Sequence, residues 1–271
     1  MSRPDVSVVI LNYQSRGLTR ECVKSFKRLS DAVSLEFIVV DNGGEEGLEE
    51  TLAQRFGDVR YIRLNRNIGF AAGNNVGARE SRGRYVMFAN QDLTATHQSV
   101  GSLVKFMDEN PDVALCGPRL LNPDGTIQQS FYRFYTPLTP LYRRTILGRL
   151  WIGRQHLDHF LMRDRDATTT LNVDFLMGAC LFVRASAIER VGLFDERYFF
   201  YFEDTDWCRR FWEAGYRVCY VPSSTMIHIH SRDSAQKMGI ASLFDKATRR
   251  HITSGAQYFI KHWGKPRVSY G

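Results

Sequence analysis

The feature that most constrains this chain is a rhythm of short, almost wholly apolar runs, each closing on polar residues and separated from the next by a stretch of helical periodicity. VSVVIL (6–11) runs into Asn12, EFIVVDN (36–42) closes on Asp41 and Asn42, and RYVMFAN (84–90) runs into Gln91 and Asp92. Runs this short, rich in Val and Ile and lacking a polar face, predict strands buried on both sides. Leu18, Cys22, Phe26 and Leu29 recur at helical spacing between the first two, and Val100, Leu103, Val104 and Met107 do so before the strand VALCG (113–117). Strands alternating with helices predict an α/β fold on a doubly wound, mostly parallel sheet, whose ligands bind at the carboxyl ends of the strands. Asn12, Asp41 and Asp92 all fall at such ends.

After Gly117 the pattern changes. LNPDGTIQ reads as a hairpin turning at Pro123, Asp124 and Gly125, and an arginine-rich aromatic segment follows it. NVDFLMGACLFVRASAIERVG predicts a strand pair and a short helix closed by Gly192, and FDERYFFYFEDTDWCRRFWEAG leads into a helix ending at Gly215. RVCYVP and STMIHIHS read as two further strands, with Met226, His228 and His230 on one face of the second. The tail from about Ser242 to Trp263 reads as a helix.

Length and charge narrow the classes. A chain of 271 residues can bury a sizeable core, and no apolar run approaches the ~20 residues that cross a bilayer. The start, MSRPDVSVVILNY, lacks the pattern of a secretory signal, so a cytoplasmic protein is expected. Five cysteines with no C-x-x-C predict buried free thiols. A net charge of +7 points to acidic partners: nucleic acid, an anionic membrane surface or phosphorylated substrates. Between Phe131 and Arg165 seven arginines face two aspartates, a local excess of 7 − 2 = +5.

Four constellations could carry chemistry. Asn90-Gln91-Asp92 closes a buried strand, and a carboxylate there can hold Mg²⁺ or Mn²⁺ against a diphosphate, although exposed loop aspartates are common. Glu203-Asp204, with Asp206 beside it, opens a helix behind the aromatic run YFFYF. Acids at a helix start are ordinarily caps, but an apolar wall raises a carboxylate pKa and suits a general base. His228 and His230 share a strand face and are either core histidines or partners of a metal or phosphate. Gly69, Gly73 and Gly77 do not make a dinucleotide fingerprint, but they would let backbone approach a ligand.

Taken together, VSVVILNY, IVVDN, NIGFAAGNNVG, YVMFANQD, the segment 174–210 and VPSSTMIHIHS resemble family two of the nucleotide-sugar glycosyltransferases with the GT-A fold, in its rhamnosyltransferase-like branch, over roughly residues 5–231. The resemblance implies one domain over 1–271. Residues 1–118 form a nucleotide-sugar-binding half, and 119–231 an acceptor and catalytic half with an insert at about 131–165. A helical tail covers 232–271. It implies that Asp41 contacts the base, that Asn12 and Tyr13 line its pocket, and that Asn67, Gly69 and Asn74 lie under the nucleoside. Asn90 and Gln91 belong to the same donor site. Asp92 matches the last acid of the family's D-x-D metal motif, whose first acid is Asn90 here. His228 or His230 matches a histidine near the diphosphate and its Mg²⁺ or Mn²⁺. Asp204 matches the base of an inverting displacement, with Glu203 orienting the acceptor or the base.

The implied donor is a dTDP-, UDP- or GDP-linked sugar, with rhamnose on dTDP the branch's commonest suggestion. The implied acceptor is a glycan or a polyprenyl-diphosphate-linked glycan of bacterial cell-surface polysaccharide. The arginine-rich insert lies where the family binds acceptors, and its charge is expected either to meet an anionic acceptor through peripheral contact at the inner membrane or to form a solvated loop. A sugar nucleotidyltransferase would carry a basic glycine-rich loop after the first strand, which LNYQSRG does not fit well. A basic nucleic-acid-binding protein would leave Asp41, Asp92 and Glu203-Asp204 unexplained, so no nucleic-acid partner is expected.

Overall fold

The computed structural model describes residues 3–29, 33–229 and 246–265. In chain order the elements are β1 (Val6–Asn12), α1 (Arg16–Lys27), β2 (Leu35–Asn42), α2 (Leu48–Arg55), β3 (Val59–Leu64), α3 (Phe70–Arg79), β4 (Tyr85–Asn90), β5 (Leu93–Ala95), α4 (Ser99–Glu109) and β6 (Val113–Leu121). Then come β7 (Ile127–Gln128), β8 (Phe131–Tyr132), α5 (Leu138–Arg144), a 3₁₀ turn (Ile146–Arg149), α6 (Trp151–Phe160), β9 (Leu171–Asn172) and β10 (Phe175–Leu176). The chain ends with β11 (Cys180–Arg184), α7 (Ala185–Val191), α8 (Glu203–Glu213), β12 (Arg217–His228) and α9 (Lys246–Lys261).

The main sheet runs β3-β2-β1-β4-β11-β6-β12-β5. β3, β2, β1 and β4 are mutually parallel, as are β6 and β12, while β11 runs antiparallel between β4 and β6. Alternate residues of one strand serve opposite cores: Val6, Val8 and Ile10 of β1 join Cys22 and Phe26 of α1, whereas Val9 and Leu11 face the layer holding Trp207 and Phe211 of α8. Burial on both faces is the physical reason these runs lack a polar side. All five cysteines are buried free thiols.

Three expectations are refined. RVCYVP and the STMIH part of the second run form the single strand β12, whose ladder is irregular between Val221 and Thr225 because Pro222 has no N–H to give it. The glycine-rich stretch becomes the helix α3. The insert is helical, with α5, the 3₁₀ turn and α6 packed together. Among the described residues no helix is long and apolar enough to cross a membrane.

Candidate active site

The parallel register aligns Asn12 with Asp41 and Leu11 with Asn90, so three strand ends share one edge. Asp41 is fully buried. It accepts hydrogen bonds from Asn12 Nδ2 at 3.0 Å, from Tyr61 Oη at 2.7 Å and from the Glu45 N–H at 2.7 Å. Burial, and then the hydrogen bond to Asp41, pushes the Tyr61 phenol up and keeps it a donor. Thr19 Oγ1 donates to Asn12 Oδ1 at 2.8 Å and fixes that amide in turn.

Gln91 holds the loop after β1: its Oε1 accepts the Tyr13 N–H at 2.7 Å and its Nε2 donates to the Tyr13 carbonyl at 3.3 Å. The Tyr13 ring stays 44% exposed at the rim. Asn42 shapes the other wall, donating to Asn67 Oδ1 and to the Gly69 carbonyl, each at 3.1 Å, and accepting the Ile68 N–H at 2.9 Å. Gly69 has φ +99°, and a Cβ there would lie 2.6 Å from the Phe199 carbonyl oxygen. Only glycine suits both conditions. The next N–H, of Phe70, donates to that same oxygen at 2.7 Å, so this loop binds the aromatic run before α8. Asn74 is buried in α3 and donates to the Phe70 carbonyl.

Asp92 follows β4, with a side chain 16% exposed whose Oδ1 lies 3.3 Å from His228 Nε2. His228 is buried near the end of β12, and its Nδ1 lies 2.7 Å from Gln128 Oε1. Gln128 Nε2 donates to Asn122 Oδ1 at 3.0 Å, and Asn122 Nδ2 to Thr126 Oγ1 at 2.9 Å. This relay turns the Gln128 oxygen toward the imidazole, so Nδ1 donates to it and Nε2 is the ring nitrogen that faces Asp92. Asn90 gives its backbone to the Ala179 carbonyl and the Cys22 thiol. His230 lies outside the described residues. Among those residues, no three His, Cys, Asp or Glu side chains cluster as a complete metal cage.

Glu203, Asp204 and Asp206 occupy the first turn of α8 but differ in surroundings. Asp204 is half-buried; its Oδ2 accepts the Gly178 N–H at 2.9 Å, and its Oδ1 accepts the Thr205 N–H at 2.6 Å and the Thr205 hydroxyl at 3.2 Å. Burial raises its pKa, and those donors limit the rise. Glu203 is 4% exposed and its Oε2 has no hydrogen-bond partner. Burial first, and the neighbouring Asp204 charge second, push its pKa far up. Burial thus raises both acids, and the donors on Asp204 keep its rise below that of Glu203, so Asp204 ionises the more readily of the two. Tyr201 and Phe202, just before them, have φ of +74° and +69°, a strained turn that Ser254 of α9 braces through the Phe200 carbonyl at 3.0 Å.

Asp206 points the other way, fully buried beneath α9. It accepts from Arg210 Nε at 2.9 Å, Lys261 Nζ at 2.8 Å and His262 Nε2 at 2.9 Å. Burial alone would raise this carboxyl, but His262, Arg210 and Lys261 outweigh it and hold it below the usual range.

Sequence reasoning did not single out Asn42, Tyr61, Gln128 or Gly178. Only Asn42, beside Asp41 at a strand end, carried a local signal. The edge thus gathers a satisfied buried carboxylate, a carboxylate and imidazole pair, and one partly open carboxylate with a buried acid beside it.

The family model described as Glycosyl transferase family 2 matches residues 7–192. The N-acetylglucosaminyl-diphospho-decaprenol L-rhamnosyltransferase of Mycobacterium tuberculosis is 29% identical over 235 residues, which cover 83% of this chain and 76% of that protein. Rhamnosyltransferase WbbL of Escherichia coli is 25% identical over 264 residues, covering 94% of this chain and 93% of its own. The crystal structure of GalNAc-T7 with UDP, GalNAc and Mn²⁺ superposes with a TM-score of 0.65 at 15% identity, over 95% of this chain and 48% of that one. The chain spans about half of that solved chain, and the likeness shows a shared fold.

Proposed function

The chain belongs to glycosyl transferase family 2, and from that premise we propose that it moves L-rhamnose from a dTDP-linked donor to a hydroxyl of a glycan or lipid-linked glycan acceptor in bacterial cell-surface polysaccharide synthesis. The rhamnosyltransferases among its relatives support the sugar, and the decaprenol-linked acceptor in one relative's name supports the acceptor class. The observation that carries the chemistry is the unequal acid pair, with Asp204 hydrogen-bonded and partly open beside a buried Glu203 whose Oε2 has no hydrogen-bond partner.

In this reading the nucleoside lies over the edge formed by Asn12, Asp41 and the Asn67–Gly69 loop, with Tyr13 at its rim. Asp41, fully buried and bonded to Asn12, Tyr61 and the Glu45 N–H, fixes Asn12 beneath the base rather than touching the base itself, while Asn42 and Gln91 hold the two walls in place. Three of the four lone-pair positions on Asp204 are occupied, which leaves one on Oδ2 for the acceptor hydroxyl. Asp204 takes that proton as the oxygen attacks the anomeric carbon and the nucleoside diphosphate departs, inverting the centre. Glu203, in the same turn and with its pKa pushed up by burial and by the Asp204 charge, orients the acceptor or Asp204. Positioning and electrostatics supply most of the rate.

The donor set fits a divalent cation, Mg²⁺ or Mn²⁺. Asp92 Oδ1 and His228 Nε2 face each other across 3.3 Å, an oxygen and nitrogen pair of the kind that ligates such a cation, and a diphosphate-bound ion needs few protein ligands. Asp92 and His228 would hold it, and it would neutralise charge on the departing diphosphate.

Asp204→Asn is the direct test. Transfer should fall by about 10²–10⁴-fold while the fold and the dTDP-induced thermal shift persist. Normal turnover in a folded, donor-binding variant would remove Asp204 as base. Thermal shifts with dTDP, UDP and GDP, with and without Mn²⁺, identify the base and test the metal.

A further inference from the structure

The insert carries a surface that sugar transfer does not use. Between β8 and β9, α5, the 3₁₀ turn and α6 pack as one cap. A Cβ at Gly148 would lie 2.1 Å from the Tyr142 carbonyl oxygen, and one at Gly153 2.1 Å from that of Leu147, so these segments touch backbone to backbone. His156 Nε2, 2.9 Å from Thr139 Oγ1, ties α6 to α5, and Arg133 pairs with Asp164 at 2.8 Å where the chain enters and leaves the cap. Phe160 is buried among aromatic rings.

Despite this tight packing, Ile146 is 70% exposed, Leu150 57%, Trp151 72% and Ile152 64%. Four large apolar side chains within seven residues, on an ordered cap, form the kind of contiguous patch that marks an interaction surface. The charge around them has one sign. No Asp or Glu occurs from Arg133 to Leu157, and Arg149 and Arg154, both exposed, form no ion pair among the described residues.

We propose that this ridge docks the protein on an anionic lipid bilayer, with Trp151, Ile152, Ile146 and Leu150 entering the interface and Arg149 and Arg154 meeting the headgroups. Tryptophan and aliphatic residues on one face with arginine beside them are the composition of interfacial binding. A second copy of the chain fits less well, because a two-fold contact would set the same arginines against each other with no carboxylate to meet them. The cap also continues toward the chemistry: β8 pairs with β10, and the chain then reaches Gly178, whose N–H holds Asp204. Docking there would bring the acceptor side of the site to the membrane. The inference goes beyond glycosyl transfer and does not depend on it, since vesicle binding is read without donor or acceptor.

The test is co-sedimentation of the full chain with vesicles of mixed phosphatidylcholine and phosphatidylglycerol, and with phosphatidylcholine alone. Stronger binding to the anionic vesicles that weakens with salt is expected. Trp151→Ser with Ile152→Ser should lower the partition coefficient by more than about tenfold, and Arg149→Glu with Arg154→Glu by at least about 25-fold, since each basic residue is worth about fivefold at such a surface. Both variants should keep the wild-type melting temperature and the wild-type shift with dTDP. Equal binding to neutral and anionic vesicles, or variants that pellet like wild type, would overturn the proposal. So would sedimentation velocity showing that the apolar variant converts a dimer to monomers while vesicle binding is unchanged.

Discussion

Asp204 Oδ2 accepts the backbone N–H of Gly178 at 2.9 Å, so a side chain on the first turn of α8 is aimed by the segment that leads into β11. Glu203, one residue earlier, has no such donor on Oε2. The difference between adjacent acids comes from the donors on Asp204, the Gly178 N–H together with the N–H and hydroxyl of Thr205.

That difference predicts an alkaline cost. The folded-state pKa of Glu203 is raised, by burial and then by the Asp204 charge, so its contribution to stability is fully present below its ordinary value of 4.5 and is lost as pH rises toward the folded value. Glu203→Gln removes the titration. Its melting temperature should match wild type near pH 4 and exceed it increasingly from about pH 5 upward, as read in melts across buffers. Parallel curves at every pH would show that Glu203 is not a protonated buried acid.

Asp206 has the opposite sign. Its folded pKa is held low, so its stabilisation is present above the ordinary value of 3.8 and is lost as pH falls below it toward the folded value. Asp206→Asn leaves Lys261 and Arg210 against a neutral amide in a fully buried setting and should cost about 3 kcal/mol by denaturant unfolding. It should also flatten the acid arm of the stability curve. Because α9 braces the Phe200–Phe202 turn, limited proteolysis should cut near α9 sooner in this variant.

Much of the scaffold was legible because burial on both faces leaves a local signature. VSVVIL, FIVV and YVMFA could be read as strands without knowing their neighbours, and a parallel sheet then puts Asn12, Asp41 and Asp92 at one edge. The supports were not legible, because each arrives from a distant part of the chain. Tyr61 reaches Asp41 from 20 positions away, Gly178 reaches Asp204 from 26, and Gln128 reaches His228 from 100. Nor does local pattern separate the three acids of α8: the same first turn sends Asp204 toward the strand ends and Asp206 beneath a tail helix whose packing no periodicity specifies.

Gly69 joins two parts of the site through backbone alone. Gly69→Ala would force a side chain into φ +99° and place its Cβ 2.6 Å from the Phe199 carbonyl oxygen. We expect a loss of about 3 kcal/mol in urea unfolding with an unchanged m-value, from backbone strain plus overpacking. The loop carrying Asn67 should shift as well, so weaker dTDP binding should accompany the lower stability. A variant as stable as wild type would mean that the Phe199 turn yields easily.

Gln128 offers the sharpest test of the metal. Its oxygen accepts from Nδ1 of His228 and so fixes the ring with Nε2 facing Asp92. Gln128→Leu removes that acceptor without touching either proposed ligand, and the imidazole can then take the other tautomer. Mn²⁺ affinity, titrated in the presence of dTDP, should fall by about 10–100-fold, and Gln128→Glu, which restores an acceptor, should recover most of it. Asp92→Asn should weaken Mn²⁺ binding further, and chelation with EDTA should lower wild-type transfer toward the level of that variant. If Gln128→Leu binds Mn²⁺ like wild type while Asp92→Asn does not, the carboxylate holds the ion and the hairpin does not set the histidine.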